Sequence, residues 1–131
     1  MCEATERCLH IAIENIRPGR RWSQVAQIMQ RYAESRGYGV VREFVGHGIG
    51  RSMHEEPKVP NYADRHTRQQ DIELREGLVL AIEPMLNLGT RHVKTLADGW
   101  TVVTKDGKAS AHYEHTVAVT SGGAEVLTDG N

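Results

Sequence analysis

The 131-residue chain reads as one α+β domain, with two helices packed on a mostly antiparallel sheet. Three features predict this. The first forty residues repeat apolar side chains at helical spacing, the rest carries short β-branched and aromatic runs, and Asp-Gly turns punctuate those runs. Helices first and strands after, rather than in alternation, is the order of an α+β protein.

The first helix carries Leu9, Ala12, Ile13 and Ile16 on one face, with charged positions between them. Arg17-Pro18-Gly19 ends it, since Pro disfavours helix at the residue before it and Gly tolerates positive φ. The second helix shows a stripe of Trp22, Val25, Ala26, Met29, Tyr32 and Ala33. Gly37 stops it, with Arg36 near the negative end of the helix dipole. After Gly39 the pattern predicts a strand over 40–45 entering a Gly-rich turn, Gly46-His47-Gly48-Ile49-Gly50. A long polar loop is expected over about 54–76, because Pro57 and Pro60 lie inside it. An apolar strand over 78–82 ends at Glu83-Pro84. Further strands are expected over 91–95, 100–104 and 113–120, separated by Asp98-Gly99 and Asp106-Gly107, and 125–128 closes the sheet.

Composition narrows the function classes. Lys plus Arg total 16 and Asp plus Glu total 17, a net charge of −1. That balance supports neither a nucleic-acid surface nor a polybasic membrane patch. Cys2 and Cys8 are too few and too close to frame a disulfide network, which suits free thiols in a reducing cytoplasm. No apolar run reaches the length of a membrane span and no signal-peptide core is visible, so a cytoplasmic location is expected. The seven histidines stand out, because imidazole is a common metal ligand.

Three polar residues sit where patterning calls for apolar ones. Glu83 ends the run Leu78-Val79-Leu80-Ala81-Ile82, and alternation puts it on one face with Val79 and Ala81. Glu114 shares a face with Thr116 and Ala118. His47 lies between two glycines that leave room for close approach to the backbone. Taken singly, a strand-end Glu is a rim residue and a His in a Gly-rich segment is a turn residue. Taken together, one His and two Glu on separate strands form a ligand set for a borderline or hard divalent metal. The local HExxH zinc signature is absent: His54-Glu55-Glu56-Pro57-Lys58 begins like it, but Lys58 replaces the second His and Pro57 disfavours the helix.

Four segments carry a resemblance. The run from Phe44 through Gly46-His47-Gly48-Ile49-Gly50-Arg51-Ser52-Met53-His54-Glu55-Glu56-Pro57 resembles the GHGIGxxxHEEP segment of type I methionine aminopeptidases. Ile82-Glu83-Pro84-Met85, Asp98-Gly99-Trp100-Thr101 and Ser110-Ala111-His112-Tyr113-Glu114-His115-Thr116 resemble that family's IEPM, DGWT and SAxxEHT segments, in the same order. The resemblance runs from about Glu6 to Thr128. It implies the C-terminal half of a pita-bread fold, in which two pseudo-symmetric halves enclose two divalent cations that acidify the attacking water. By the match, His47, Glu83 and Glu114 are metal ligands, with Glu114 bridging and Glu83 also shuttling the proton. His54 contacts the substrate peptide and steadies the tetrahedral intermediate. Trp100 lies at the pocket for the methionine side chain, against the plainer reading of a packed strand aromatic, and Met53 stands where an aromatic residue often flanks that pocket. The implied metals are Co, Mn, Fe or Zn, and the implied substrate is the N-terminal methionine of peptides and nascent proteins.

The sequence also departs from that pattern. The family's two aspartate ligands, eleven residues apart, and an additional catalytic His belong to its N-terminal half. Asp64, Asp71, Asp98, Asp106 and Asp129 offer no pair at that spacing. The chain is therefore expected to be a truncated or split product, with little or no activity alone, that needs a partner segment supplying the aspartates. His112 stands where Gln is frequent, and Arg75-Glu76-Gly77 replaces a more usual Pro-Gly turn. Two other readings remain open: an aminopeptidase P or prolidase-type peptidase of the same fold, and a non-catalytic fragment on the scaffold.

Overall fold

The computed structural model describes residues 1–130. Helices α1 (Cys2–Asn15) and α2 (Trp22–Glu34) come first. Strands β1 (Gly39–Val40), β2 (Gly46–Gly48) and β3 (Glu55–Val59) follow, then the short helix α3 (Arg65–Gln69). The rest of the chain supplies β4 (Val79–Ile82), β5 (Met85–Asn87), β6 (Val93–Thr95), β7 (Val102–Thr104), β8 (Ser110–His112), β9 (His115–Thr120) and β10 (Gly123–Val126). The main sheet has the order β10-β9-β4-β2-β3, beside a β1-β5-β8 sheet and a β6-β7 hairpin. Every pairing among these strands is antiparallel.

The two predicted stripes form the core. Leu9, Ala12 and Ile16 from α1, and Trp22, Val25, Ala26, Met29 and Ala33 from α2, are buried against Leu80, Ile82, Leu86, Val117 and Val119 of the sheets. Each of the Leu, Ile, Val and Met side chains among them contributes about 1.5–3 kcal/mol by leaving water. Gly19, at φ +83°, makes the turn between the helices as expected. A carboxylate distant in sequence then fixes the start of α2: Asp71 accepts from the Ser23 backbone N–H at 2.9 Å and its hydroxyl at 2.6 Å. Negative charge at that end also suits the helix dipole.

Four sequence expectations need correction. Of residues 40–45, only Val40 is in a strand. The Gly-rich segment is not a turn, because Gly46–Gly48 forms β2, interior to the main sheet between β3 and β4. Glycine is required there by close packing: a Cβ on Gly46 would run into the Ala81 carbonyl, and one on Gly48 into the Glu56 carbonyl. The stretch expected as a polar loop holds β3 and α3. Pro57 is tolerated because β3 is an edge strand, and Asp64 starts α3 by accepting from Thr67 N–H at 2.9 Å. Finally, the strand expected over 113–120 begins only at His115, as β9, and a separate strand, β8, precedes it over Ser110–His112, with a break at Tyr113-Glu114. That break matters for the site.

Candidate metal centre

Two antiparallel neighbours leave the main sheet at one corner. Within the main sheet Ile82 pairs with His115, and in the adjoining three-stranded sheet Met85 pairs with His112. Between those pairs both chains break, at Glu83-Pro84 on one side and Tyr113-Glu114 on the other. The Tyr113 N–H still reaches the Pro84 carbonyl at 3.3 Å, so the common register carries across the gap and sets Glu83 opposite Glu114. Like charges directly opposite on paired strands repel. Among the described residues, neither carboxylate has an ion pair with Lys or Arg.

Imidazoles compensate instead. The Glu83 side chain, only 15% exposed, lies between two of them: Oε1 is 3.2 Å from His47 Nε2, and Oε2 is 3.3 Å from His112 Nε2. Proximity to Glu83, opposed by desolvation and reinforced by Glu114, holds the His112 imidazole above its ordinary pKa. His47 is set differently. Its Nδ1 lies 2.9 Å from the Gly48 carbonyl, which can only accept, so Nδ1 carries a proton. Its Nε2 faces the Glu83 carboxylate from the other side of the ring. A ring N–H tied to a carbonyl, with the other nitrogen free, is also the usual setting of a metal-binding histidine.

One ligand atom each from Glu83, His112 and Glu114 lie within 4.8 Å of one another. The donor set fits a divalent cation: two carboxylates set opposite each other, with an imidazole nitrogen on either side of Glu83. Of the three ligands expected from sequence, the structure brings Glu83 and Glu114 together, and places His47 on Glu83. The third member of the close group is His112, a residue the sequence reading noted only as a departure. The signal was available, since His112 and Glu114 are two apart on the same strand line, but the alternation was read on Glu114 alone.

Buried Asn61 completes the corner. Its amide donates to the Glu83 carbonyl at 2.8 Å and so ties the end of β4 to the segment after β3. This residue carried no signal in the sequence, because a lone Asn before Tyr62 reads as a loop residue.

Beside the centre lies a cleft of about 490 Å³ with His47, His54, Glu83 and His112 in its polar wall and Val41, Phe44, Val45, Met85, Val93 and Val102 in its apolar wall. The His54 ring packs 4.3 Å from that of His47, centroid to centroid. Met53 and Trp100 do not line this cleft; they are 70% and 88% exposed, Trp100 next to the turn of the β6–β7 hairpin. Trp100 is therefore not a packed strand aromatic. A larger groove, between α2 and the segment following β3, lies elsewhere on the surface.

The aspartates are otherwise occupied. Asp64, Asp71, Asp98 and Asp106 each accept from backbone N–H groups that they cap. None of them belongs to the Glu83, His112 and Glu114 group.

Comparison with known proteins gives the family. Residues 1–121 match the model of metallopeptidase family M24. The chain is 48% identical over 128 residues to methionine aminopeptidase 1 of Bacillus subtilis, covering 98% of itself and 50% of that relative. It superposes on the crystal structure of methionine aminopeptidase from Thermotoga maritima with a TM-score of 0.90 at 46% identity, covering 96% of itself and 49% of that chain. The prolidase of Pyrococcus horikoshii gives 0.67 at 25%, over 98% of this chain and 30% of that one. The chain thus spans about half the length of the curated relatives it matches. The expected pita-bread α+β fold is the one it shares with these structures. With the family model matched over residues 1–121, the chain belongs to metallopeptidase family M24.

Proposed function

We propose that this chain is the C-terminal, ligand-bearing half of the catalytic domain of a methionine aminopeptidase, which removes the initiator methionine from nascent proteins in the cytoplasm. The observation that carries the reading is Glu83, a half-buried carboxylate set opposite a second one and between two imidazoles, at the mouth of an apolar cleft. Similarity to methionine aminopeptidases at higher identity and TM-score than to prolidases supports the substrate class.

His47, Glu83 and Glu114 would hold the metal, with two aspartates supplied by the other half completing a two-cation site. The mixed imidazole and carboxylate donors suit Co, Mn, Fe or Zn. Bound divalent cations supply Lewis acidity and an attacking water acidified toward neutral pH. Glu83 would serve as the proton carrier at the reacting centre, taking up a proton and giving one to the leaving amine, a role open to a carboxylate held there. His54, against His47 on the cleft wall, donates to the carbonyl oxygen as negative charge develops on it. The apolar wall takes an unbranched, flexible methionine side chain. Met53 and Trp100 would join that wall when the other half or the substrate covers them.

The test uses the purified chain alone, and the chain combined with the stretch of the B. subtilis relative that it does not cover. The chain alone is expected to release no methionine from a Met-Gly peptide, while the folded complex releases it only with metal. Cleavage of X-Pro peptides in preference would move the assignment to the prolidase type. A folded, metal-loaded complex that cleaves neither would make the chain a binding scaffold.

A further inference from the structure

We infer that His112 is a further metal ligand, so that Glu83, His112 and Glu114 together bind one borderline divalent cation on this chain alone. The inference rests on the metal reading above but does not need the aspartates of another segment.

Geometry carries the argument. Imidazole nitrogens and carboxylate oxygens about 2.0–2.2 Å from a tetrahedral cation stand roughly 3.3–3.6 Å from one another. His112 Nε2 lies 3.3 Å from Glu83 Oε2, inside that range. A charge-assisted N–H···O bond would close to about 2.7–2.9 Å, so the observed separation is that of neighbouring ligands rather than of a tight ion pair. Glu114 brings its oxygen within 4.8 Å of both, close enough for a rotamer adjustment to complete the set.

Topology explains why the three converge. His112 pairs with Met85 in the three-stranded sheet, two residues beyond Glu83, while Glu114 sits opposite Glu83 at the break. The two-residue interval between His112 and Glu114 puts both on one side of the strand line. His112 also lines the cleft and is 46% exposed, so an ion and its remaining water ligands can enter. One imidazole and two carboxylates make a charge of −2, which matches a single divalent cation. A second divalent cation would leave the group under-compensated, so the three ligands hold one. Imidazole in the set favours Zn or Co over Mg or Ca.

A glutamine at this position, common in the resembling segment, offers only a weakly basic amide oxygen. The substitution His112→Gln therefore tests the ligand without removing a side chain of similar reach. The experiment titrates the full 131-residue chain with Co(II), read by its visible absorption, and with Zn(II) against a chromophoric chelator. It compares the unaltered chain, His112→Gln and Glu114→Gln, with Cys2→Ser as a control for the exposed thiol. One equivalent is expected to bind the unaltered chain. His112→Gln is expected to weaken binding by about 10- to 100-fold, at least the loss seen when an outer partner of a ligand is removed, and to alter the Co(II) spectrum. Circular dichroism separates this from unfolding, and a Zn-dependent shift of the His112 ring signals in NMR reads the ligand directly in the unaltered chain. Equal affinity and spectrum in His112→Gln, with no ring shift, would overturn the inference and leave the metal reading of Glu83 and Glu114 standing. No binding to the unaltered chain would also overturn it, while release of methionine by the combined halves would keep the proposed function intact.

Discussion

The two faces of the main sheet are built from the same strands and by opposite rules. On the helix-covered face, Leu80, Ile82, Val117 and Val119 are all buried and apolar. On the other face the register lines up His47, Ala81 and Thr116, with Val79 beside Ala118, and this row ends at Glu83 opposite Glu114. Apart from Ala81, these residues keep part of their surface exposed. One face is a stability device, buried and apolar throughout its central strands. The other brings two carboxylates and two imidazoles together at one corner. Alternation of a single residue along β4 and β9 divides the two tasks.

That division can be broken from either side. The largest effect belongs to Leu80→Ala, which empties the helix-covered face: a loss of about 2–5 kcal/mol is expected in urea unfolding, with metal affinity of the remaining folded protein unchanged. A parallel loss of affinity would show that the faces are not independent. Next is Asp71→Ala, which removes the carboxylate at the start of α2; a cost of about 1 kcal/mol is expected, by analogy with lost helix caps. The smallest stability effect belongs to the site itself. Glu83→Gln is expected to change unfolding free energy by less than about 1 kcal/mol, because it relieves repulsion with Glu114 while loosening His112. The same substitution should abolish methionine release by the combined halves. A large destabilisation would make Glu83 a structural residue and blur the contrast.

How much of this was legible depended on whether the signal was local. The helix stripes were, because burial follows from i, i+3, i+4 spacing, and Val25, Ala26, Met29 and Ala33 are fully buried as that spacing demands. The strand over 78–82 was also visible, since its unbroken apolar run needs no knowledge of a partner. Gly46–Gly48 is ambiguous in sequence because glycine serves turns and close strand packing alike, and only the nearby carbonyls of Ala81 and Glu56 decide between them. β3 was hidden by Pro57, whose effect depends on being at a sheet edge. At the site, Glu83 and Glu114 stood out as charges in apolar patterns. His112 did not, because its importance lies in the β5–β8 register, which pairs it with Met85, 27 residues earlier in the chain. Asn61 was hidden for the same reason: its partner is the Glu83 carbonyl, 22 residues away.

The two tryptophans divide between the halves of this description. Trp22 is 2% exposed, its indole N–H bonded to the Pro60 carbonyl at 2.7 Å, whereas Trp100 is 88% exposed beside the hairpin turn. The chain consequently carries two fluorophores in opposite environments. Emission from Trp22 is shielded from aqueous quenchers such as iodide until the helices separate from the sheet. Trp100 is open to them from the start and loses that access only when something covers the hairpin. Quenching of one and protection of the other therefore follow unfolding and partner docking as separate optical signals, with no label attached.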